Sequence, residues 1–452
     1  MIGADTQNRQ QLERGLGLFG AISANVLDMV GVGPFLTIPL AIAAMGGPQA
    51  MIGWVLGAFL CLCDGMVWAE LGSAMPSSGG PYYYLKEAYG KRSLGQLMGF
   101  LFLWQTLFAG PLTIASGAVG FSEYMKFIYP KLAHEQLVAI AAGICLFSIV
   151  LLYRNIRSID HISIAMTVLV IATCGWVIVS GVQHFRASNA FDFPSGAFHL
   201  SQAFWAGLGA TSLIAVYDYG GYSNACLLGG EIEKPQKNIP RAVIYSILLV
   251  AALYLLMNLS IIGTLNWREA QHSDAIAADF MQSVYGHWAG LLVSVLILVV
   301  SFGSVFANML GYSRIPYAAA ADGNFFAPFA RLHKTGRFPT VSLLFMGAAS
   351  AVACLFSLEQ LIKVLIVVQA IFQFAAQCVA VGLIRRRNPA VTDVYRMPLY
   401  PIPAVIALLG WLYIAGSNGL RYLAVGIATV AVGSGIYLLK ARHEQEWPFA
   451  AL

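Results

Sequence analysis

The chain has 452 residues, of which 58% are hydrophobic and only 10% are charged. A typical soluble domain has about 25% charged residues, so this composition excludes an ordinary soluble enzyme and indicates an all-α protein that crosses a membrane several times. The formal net charge of +5 does not indicate a nucleic-acid-binding protein, because the basic residues sort by side between the hydrophobic segments.

About twelve apolar segments are predicted to span the membrane. They lie near residues 17–45, 50–74, 94–121, 135–153, 162–182, 203–230, 241–264, 288–320, 340–357, 361–384, 399–416 and 421–440. With a cytoplasmic N-terminus, twenty of the 26 lysines and arginines lie on the cytoplasmic side and six on the outer side. The positive-inside rule therefore predicts two cytoplasmic termini, in the plasma membrane or in the inner membrane if the source is a bacterium.

The first apolar segment is interrupted by Gly31-Val32-Gly33-Pro34. A glycine inside a helix costs about 1 kcal/mol and a proline about 3 kcal/mol relative to alanine, although proline suits the first turn of a new helix. We therefore predict two half-helices joined by unwound backbone. Such backbone is tolerated at membrane depth only against protein or a water-filled cavity, so the joint is a candidate binding site.

The sixth apolar segment is interrupted in a similar way by Gly220-Gly221. A pair of interrupted spans, one in each half of the chain, is the best sequence pointer to the substrate site of an inverted-repeat transporter. Internal sequence identity does not by itself reveal the repeat.

Four motifs follow one another within residues 15–340. They are Gly31-Val32-Gly33-Pro34-Phe35; Ala69-Glu70-Leu71-Gly72 with Ser78-Gly79-Gly80-Pro81; Tyr217-Asp218-Tyr219-Gly220-Gly221 with Glu231-Ile232-Glu233-Lys234-Pro235; and Tyr312-Ser313-Arg314 with Asp322-Gly323. In this order they resemble the amino acid–polyamine–organocation superfamily of transporters, and its amino acid permeases in particular.

The resemblance implies a LeuT-like fold, with two inverted repeats of five helices, discontinuous helices one and six, and two further C-terminal helices. The expected parts are a cytoplasmic segment (1–14), a transport core (15–385) with repeats at about 15–185 and 200–385, two additional helices (386–440) and a cytoplasmic tail (441–452).

The break in the first span exposes backbone N–H groups at the start of a half-helix, where an anion is stabilised. The resemblance implies that Val32 and Gly33 bind the carboxylate of an amino acid, while carbonyls of the sixth span meet its amine. The residues expected to supply those carbonyls are Tyr217, Asp218 and Gly220. Two departures from the family pattern weaken this site, because Val32 replaces a small hydroxyl residue and Pro34 removes a backbone N–H.

Two acidic residues lie beside the breaks, and each has two interpretations. Asp28 could hold a substrate amine, a sodium ion or a proton, or it could be a protonated carboxyl that caps the broken backbone. Asp218 could pair with a cationic substrate or satisfy nearby amides. Asp64, deeper in the second span than Glu70, has no assigned role, whereas Glu70 is expected to be structural.

Further polar residues complete the candidate site. Tyr217 fits the aromatic lid that relatives place over the substrate, and Gln369, Gln373 and Gln377 recur on one predicted helix face, where bonding between helices is the plainer interpretation. The predicted substrate site comprises Asp28, Gly31, Val32, Gly33, Gln105, Tyr217, Asp218, Gly220, Gly221, Ser223, Asn224, Asn308 and Gln369. The residues proposed for ion coupling are Asp28, Ser301 and Ser304.

These features favour a secondary active transporter that moves amino acids, most of all neutral ones, by ion symport or exchange. A polyamine or organic-cation transporter is the alternative, and a channel or a non-transporting sensor on the same scaffold is a third class, because a fold does not dictate function. All eight histidines lie in loops or near the ends of spans, and no hydrolase or metalloprotease motif occurs, so an enzyme is not expected. We expect no cofactor, metal or nucleic acid, no obligatory protein partner, and Na⁺ or H⁺ as the coupling ion.

Overall fold

A computed structural model describes residues 12–154, 156–387, 394–417 and 419–449, except for the side chains of Lys363 and Ile371. All regular secondary structure in these ranges is helical, apart from three isolated β-bridges. This confirms the predicted all-α class. Most of the predicted N-terminal segment and the end of the predicted C-terminal tail lie outside the described residues.

Among the described residues, the first half of the chain contains ten α-helices. They are α1 (Leu18–Met29), α2 (Gly33–Met45), α3 (Met51–Ala74), α4 (Pro81–Ala88), α5 (Leu94–Ile128), α6 (His134–Leu152), α7 (Ile156–Gln183), α8 (Ala187–Ala190), α9 (Gln202–Tyr219) and α10 (Asn224–Leu227).

The described part of the second half contains ten more. They are α11 (Pro235–Thr264), α12 (Trp267–Ala270), α13 (Ile276–Tyr285), α14 (His287–Tyr312), α15 (Arg314–Ala321), α16 (Thr340–Ala353), α17 (Leu358–Gln369), α18 (Ala375–Arg387), α19 (Ile402–Ser417) and α20 (Leu420–Glu444). A π-helical turn, Ala370–Phe374, joins α17 to α18.

Eight helices in the described part of the chain are long and apolar enough to cross a membrane, and the bent pair α1–α2 raises the number to nine. The other three predicted spans coincide with α9, α16 and α19. Helices α16 and α19 have 14 and 16 residues, which is about 21–24 Å and shorter than a bilayer core of about 30 Å. The chain is therefore a multi-pass membrane protein, and the total of twelve spans stays a prediction.

The outer surface of the helices is strongly apolar. Large hydrophobic side chains such as Phe19, Val150, Val168 and Leu439 point outward and are well exposed. An apolar surface of this extent would be a liability in water but suits contact with lipid. Polar residues such as Asn25, Asp64 and Arg314 are instead buried in the interior of the protein.

The two predicted helix interruptions are both present. Helix α1 ends at Met29 and α2 begins at Gly33, with a bend of 45° between them. Helix α9 ends at Tyr219, and the chain passes through Gly221 with a φ of +112° before α10 begins. A positive φ of this kind is readily adopted only by glycine.

Helix α11 holds the two breaks together. The hydroxyl of Tyr254 donates to the carbonyl of Met29 at 2.7 Å and to that of Asp218 at 3.3 Å, at the ends of α1 and α9. Asn25 of α1 accepts from the backbone N–H of Ala225 at 2.7 Å and donates to Ser246 of α11 at 3.1 Å. These bonds replace the helical bonds that the breaks remove.

The motif residues outside the breaks form ion pairs. Arg314 and Glu231 make a fully buried bidentate pair at 2.8 and 2.9 Å. Glu70 accepts from Arg385 at 2.6 and 2.7 Å and from the backbone N–H of Met397 at 2.8 Å. Glu70 therefore joins α3 to α18 and to the segment before α19, in agreement with its predicted structural role.

Candidate functional site

The two breaks meet at an internal cavity with a volume of about 80 Å³. Their contact is direct, because a Cβ placed on Gly221 would lie 2.7 Å from Cγ of Asp28. Eleven of the thirteen predicted substrate residues are among those that line the cavity. The eleven are Asp28, Gly31, Val32, Gly33, Tyr217, Asp218, Gly220, Gly221, Ser223, Asn308 and Gln369.

Free backbone donors face the cavity at the start of α2. In the described part of the chain, no acceptor bonds to the N–H groups of Val32 and Gly33, whereas the N–H of Gly31 donates to the carbonyl of Met29 at 3.2 Å and that of Phe35 to Val32 at 3.0 Å. The positive end of the helix dipole adds to the attraction for an anion. No lysine, arginine or histidine is among the described lining residues, so these amides are the anion-binding groups available there.

Asp218 lies against the same half-helix. It is buried, one carboxyl oxygen accepts a hydrogen bond from Thr37 of α2, and the other has no partner among the described residues. That free oxygen points at Gly33, where a Cβ would overlap it. Of its two predicted interpretations, Asp218 does not follow the one in which it satisfies nearby amides, because its hydrogen bond comes from the Thr37 hydroxyl, and among the described residues it keeps one free acceptor oxygen beside the cavity.

Asp28 is the more accessible of the two carboxyls. Its side chain is partly exposed to the cavity and lies beside the amides of Asn224 and Asn308. Its backbone carbonyl accepts from Ser304 at 3.4 Å. Asp28 and Asp218 are the only carboxyl residues among the described lining residues, so the cavity combines two acids with a cluster of backbone donors.

Tyr217 closes one side of the cavity. Its hydroxyl donates to Ser116 of α5 at 2.9 Å, and its ring lies 3.6 Å from the position that a Cβ on Gly33 would occupy. The hydrogen bond spans from α9 to α5, and it orients the ring across the first break. This placement is compatible with the predicted lid.

Three predicted residues do not line the cavity. Asn224 donates to the carbonyls of Ala307 at 2.9 Å and Ala24 at 3.5 Å, and so links α10 to α14 and α1. Gln105 donates to Gln373 at 2.9 Å, and Ser301 donates to the carbonyl of Gly117 at 3.2 Å. Their hydrogen bonds are to other helices rather than to the cavity.

The glutamines of the tenth span divide between two environments. Gln369 and Gln373 line the cavity, and Gln369 donates to the hydroxyl of Tyr312 at 3.3 Å. Gln377 is fully buried away from the cavity, with no partner for its amide among the described residues. The π-helical turn Ala370–Phe374 changes the number of residues per turn, so a spacing of four no longer keeps all three on one face.

Several lining residues were not predicted. They are Thr113, Ser116, Tyr312, Leu365, Ile366, Phe374 and Trp411, among others. Trp411 belongs to α19, beyond the predicted transport core. For an apolar residue in an apolar helix, the neighbouring sequence does not show whether the side chain faces a cavity, the lipid or the protein core.

The comparisons with known proteins agree with this architecture. Residues 16–432 match the family model described as amino acid permease. The serine/threonine exchanger SteT of Bacillus subtilis (strain 168) is 27% identical over 95% of this chain and 98% of its own length. Solute carrier family 7 member 13 of Mus musculus is 29% identical over 88% of this chain and 83% of its own length. The branched-chain amino acid permease BcaP of Bacillus subtilis (strain 168) is 22% identical over 98% of this chain and 96% of its own length.

These relatives are transporters and not enzymes, which confirms the prediction that the chain has no enzymatic activity. The family model covers nearly the whole described chain, including both breaks and the cavity between them. The protein is therefore a member of the amino acid permease family.

Proposed function

We propose that this permease is a secondary active transporter of neutral amino acids that works by alternating access. The observation that carries this proposal is the junction of the breaks, where the free amides of Val32 and Gly33 and the carboxyl of Asp28 share one cavity. A zwitterionic amino acid suits this pairing, because its carboxylate matches the amides and its ammonium group matches Asp28 or the carbonyls of the sixth span.

The size of the cavity favours a small side chain. A volume of about 80 Å³ holds on the order of five to eight water molecules, if each needs about 10–15 Å³ of such space. Alanine, serine and threonine have about six to eight non-hydrogen atoms, so they fill a space of this size. The printed name of SteT, a serine/threonine exchanger, supports the same class of substrate.

The proposed architecture is the LeuT-like one, with twelve spans, two inverted repeats of five helices and both termini in the cytoplasm. It is supported by the two broken helices, one in each half, and by the excess of basic residues on one side. We place the protein in the plasma membrane, or the inner membrane of a bacterium, as a subunit that needs no partner chain.

Asp28 is proposed as the group that couples transport to H⁺ or Na⁺. It is ionisable, partly accessible and in direct contact with Gly221 of the other break, so its charge acts on both half-helices at once. Ser304, which bonds the Asp28 carbonyl, is the proposed neighbouring ligand for Na⁺. Ser301 faces the carbonyl of Gly117 instead and would need to turn to contribute.

One observation favours a second candidate, a polyamine or organic-cation transporter. Asp28 and Asp218 both line the cavity, and Asp218 has a carboxyl oxygen without a partner among the described residues. Two carboxyls could neutralise two amines of one substrate. The free amides at Val32 and Gly33 would then have no anionic partner, which is the reason to rank this function second.

The test is uptake by purified protein in proteoliposomes, with labelled L-serine, L-leucine, L-arginine, L-glutamate and putrescine. Each substrate is offered with an inward Na⁺ gradient, with an inward H⁺ gradient, or with unlabelled substrate preloaded inside. Concentrative uptake of L-serine supports the proposal and excludes a channel, and the most effective condition identifies the coupling mode. Uptake of putrescine without any amino acid would refute the proposal in favour of the second candidate.

A further inference from the structure

Asp64 is a fully buried acid in α3. It does not line the cavity, but it accepts hydrogen bonds from two residues that do. One carboxyl oxygen accepts from the hydroxyl of Tyr222 at 2.6 Å. The other accepts from the indole N–H of Trp411 at 3.0 Å, with the thiol of Cys378 at 4.0 Å from the same oxygen. Its partners thus come from the sixth-span break, from α19 and from α18.

An acid at this depth is costly and persists where it has a role and partners. Here both principal partners are donors, so a group that accepts on both of its oxygens fits the position. Asparagine has nearly the same shape but presents an NH₂ group to one of the two donors, and would lose one of the bonds. The position therefore suits a carboxyl group specifically, and another polar side chain such as asparagine would not replace it.

Both partners of Asp64 line the cavity. Tyr222 directly follows Gly221, the residue of the sixth-span break that touches Asp28. The indole of Trp411 stacks on the ring of Phe374, with centroids 4.0 Å apart and planes 13° from parallel. Phe374 is the last residue of the π-helical turn, and it lines the cavity as well.

Part of the cavity lining is apolar, whereas the breaks supply polar groups. Leu365, Ile366, Phe374 and Trp411 present carbon surface, and in the described chain Asp64 is the only side chain that bonds the Trp411 indole. A substrate whose charged ends are held at the breaks must place its side chain against the remaining wall. The wall is rigid because the indole is held by a ring stack on one side and a hydrogen bond on the other.

We infer that Trp411 determines which amino acid side chains the cavity accepts, and that Asp64 is a positioning residue that fixes Trp411 relative to the sixth-span break. This inference rests on the proposed amino acid transport. It gives α19, a helix outside the two repeats, a direct part in substrate selection.

The test measures selectivity rather than activity alone. Uptake of labelled L-serine into proteoliposomes is inhibited with unlabelled L-alanine, L-leucine and L-phenylalanine, and the ratio of inhibition constants is compared between variants. Trp411→Ala removes the indole from the cavity wall and leaves room for a larger side chain. We expect the inhibition constants of leucine and phenylalanine to fall at least about tenfold relative to that of alanine, since one methylene in a hydrophobic pocket is worth about 10–200-fold in discrimination. Trp104→Ala is the matched control, because Trp104 bonds the carbonyl of Thr429 at 3.1 Å and does not line the cavity.

The role of Asp64 is tested by a double-mutant cycle. Asp64→Asn should shift the alanine-to-leucine ratio in the same direction as Trp411→Phe, which lacks the indole N–H. In the Trp411→Phe background the same change at Asp64 should shift the ratio much less, because the bond is already absent. If Asp64→Asn lowers the yield of folded protein but leaves the alanine-to-leucine ratio unchanged, Asp64 has only a structural role, and its proposed role in positioning Trp411 is wrong.

A second measurement does not depend on the alanine variant folding. L-serine should change the intrinsic tryptophan fluorescence of the unmodified protein, and Trp411→Phe should remove that change while Trp104→Phe retains it. Serine uptake with wild-type selectivity in both Trp411 variants would overturn the inference and leave the proposed function intact. Failure of the unmodified protein to take up any amino acid would overturn the proposed function, and this inference with it.

Discussion

Two adjacent glycines in the sixth-span break provide a matched pair of substitutions. Gly221 has a φ of +112°, and a Cβ there would lie 2.7–2.8 Å from Cγ, Cβ and the backbone carbonyl carbon of Asp28. Gly220 has a φ of −58°, and its nearest contact would be the carbonyl oxygen of Tyr217 at 3.0 Å. Gly221→Ala should therefore impair the junction of the breaks, and Gly220→Ala should have little effect.

The size of the effect follows from two costs. A non-glycine residue held in a sparsely populated backbone region costs about 1–3 kcal/mol, and forcing an extra carbon into a packed site costs about another 1–3 kcal/mol. Asp28 cannot relieve the overlap by a side-chain rotation alone, because one of the atoms too close is its backbone carbon. A total of at least about 2 kcal/mol against the binding-competent arrangement lowers the apparent affinity by about 30-fold, at 1.4 kcal/mol for each factor of ten.

The assay is the initial rate of L-serine uptake in proteoliposomes over a range of concentrations, normalised to monodisperse protein. We expect the KM of Gly221→Ala to rise at least about 30-fold, and that of Gly220→Ala to stay within about threefold of the unmodified protein. Equal kinetics for Gly221→Ala and the unmodified protein would refute the reasoning. An equal loss in both variants would show that any side chain in the break is harmful and that the contact with Asp28 is not the cause.

Three further predictions address the other break, the coupling group and the scaffold. Gly33→Leu should abolish L-serine uptake without preventing assembly, because its side chain would fill the anion-binding start of α2; normal uptake would remove Gly33 from the site. Asp28→Asn should alter the dependence of uptake on pH or Na⁺, or the preference for cations, and a profile unchanged in all three would make Asp28 structural. Glu231→Gln should lower the free energy of unfolding by about 3–5 kcal/mol, because it leaves Arg314 buried without a counter-charge. The control is Glu87→Gln, which removes an exposed ion pair with Lys91 and should cost less than about 1 kcal/mol. Both are measured by thermal unfolding. Equal unfolding temperatures for these last two variants would contradict the importance of burial.

The positions of the two breaks are legible in the sequence. Gly31, Gly33 and Pro34 are poor residues for a continuous helix, and Gly220-Gly221 interrupts the sixth span in the same way. The structure ends α1 and α9 at these places and puts Pro34 in the first turn of α2. Backbone preferences of this kind act over a few residues, so they need no knowledge of the rest of the fold.

Which polar side chains reach the cavity was less predictable. Asn308 lines it and Asn224 does not, although both are buried amides close to Asp28. Gln373 lines it and its bonded partner Gln105 does not. Helical periodicity shows which residues share a face, but not which way that face turns within a bundle in which almost every neighbour is apolar.

The sequence by itself therefore determined the membrane-spanning class, the two unwound joints and the residues at them, because composition and local backbone energetics decide those features. Tertiary structure alone decided that the joints touch through Gly221 and Asp28, that Tyr254 holds their ends, and that Trp411 lines the cavity from a helix outside the predicted transport core. The physical reason is that these contacts join residues remote in the chain, and packing between helices, rather than any local preference, sets their orientation.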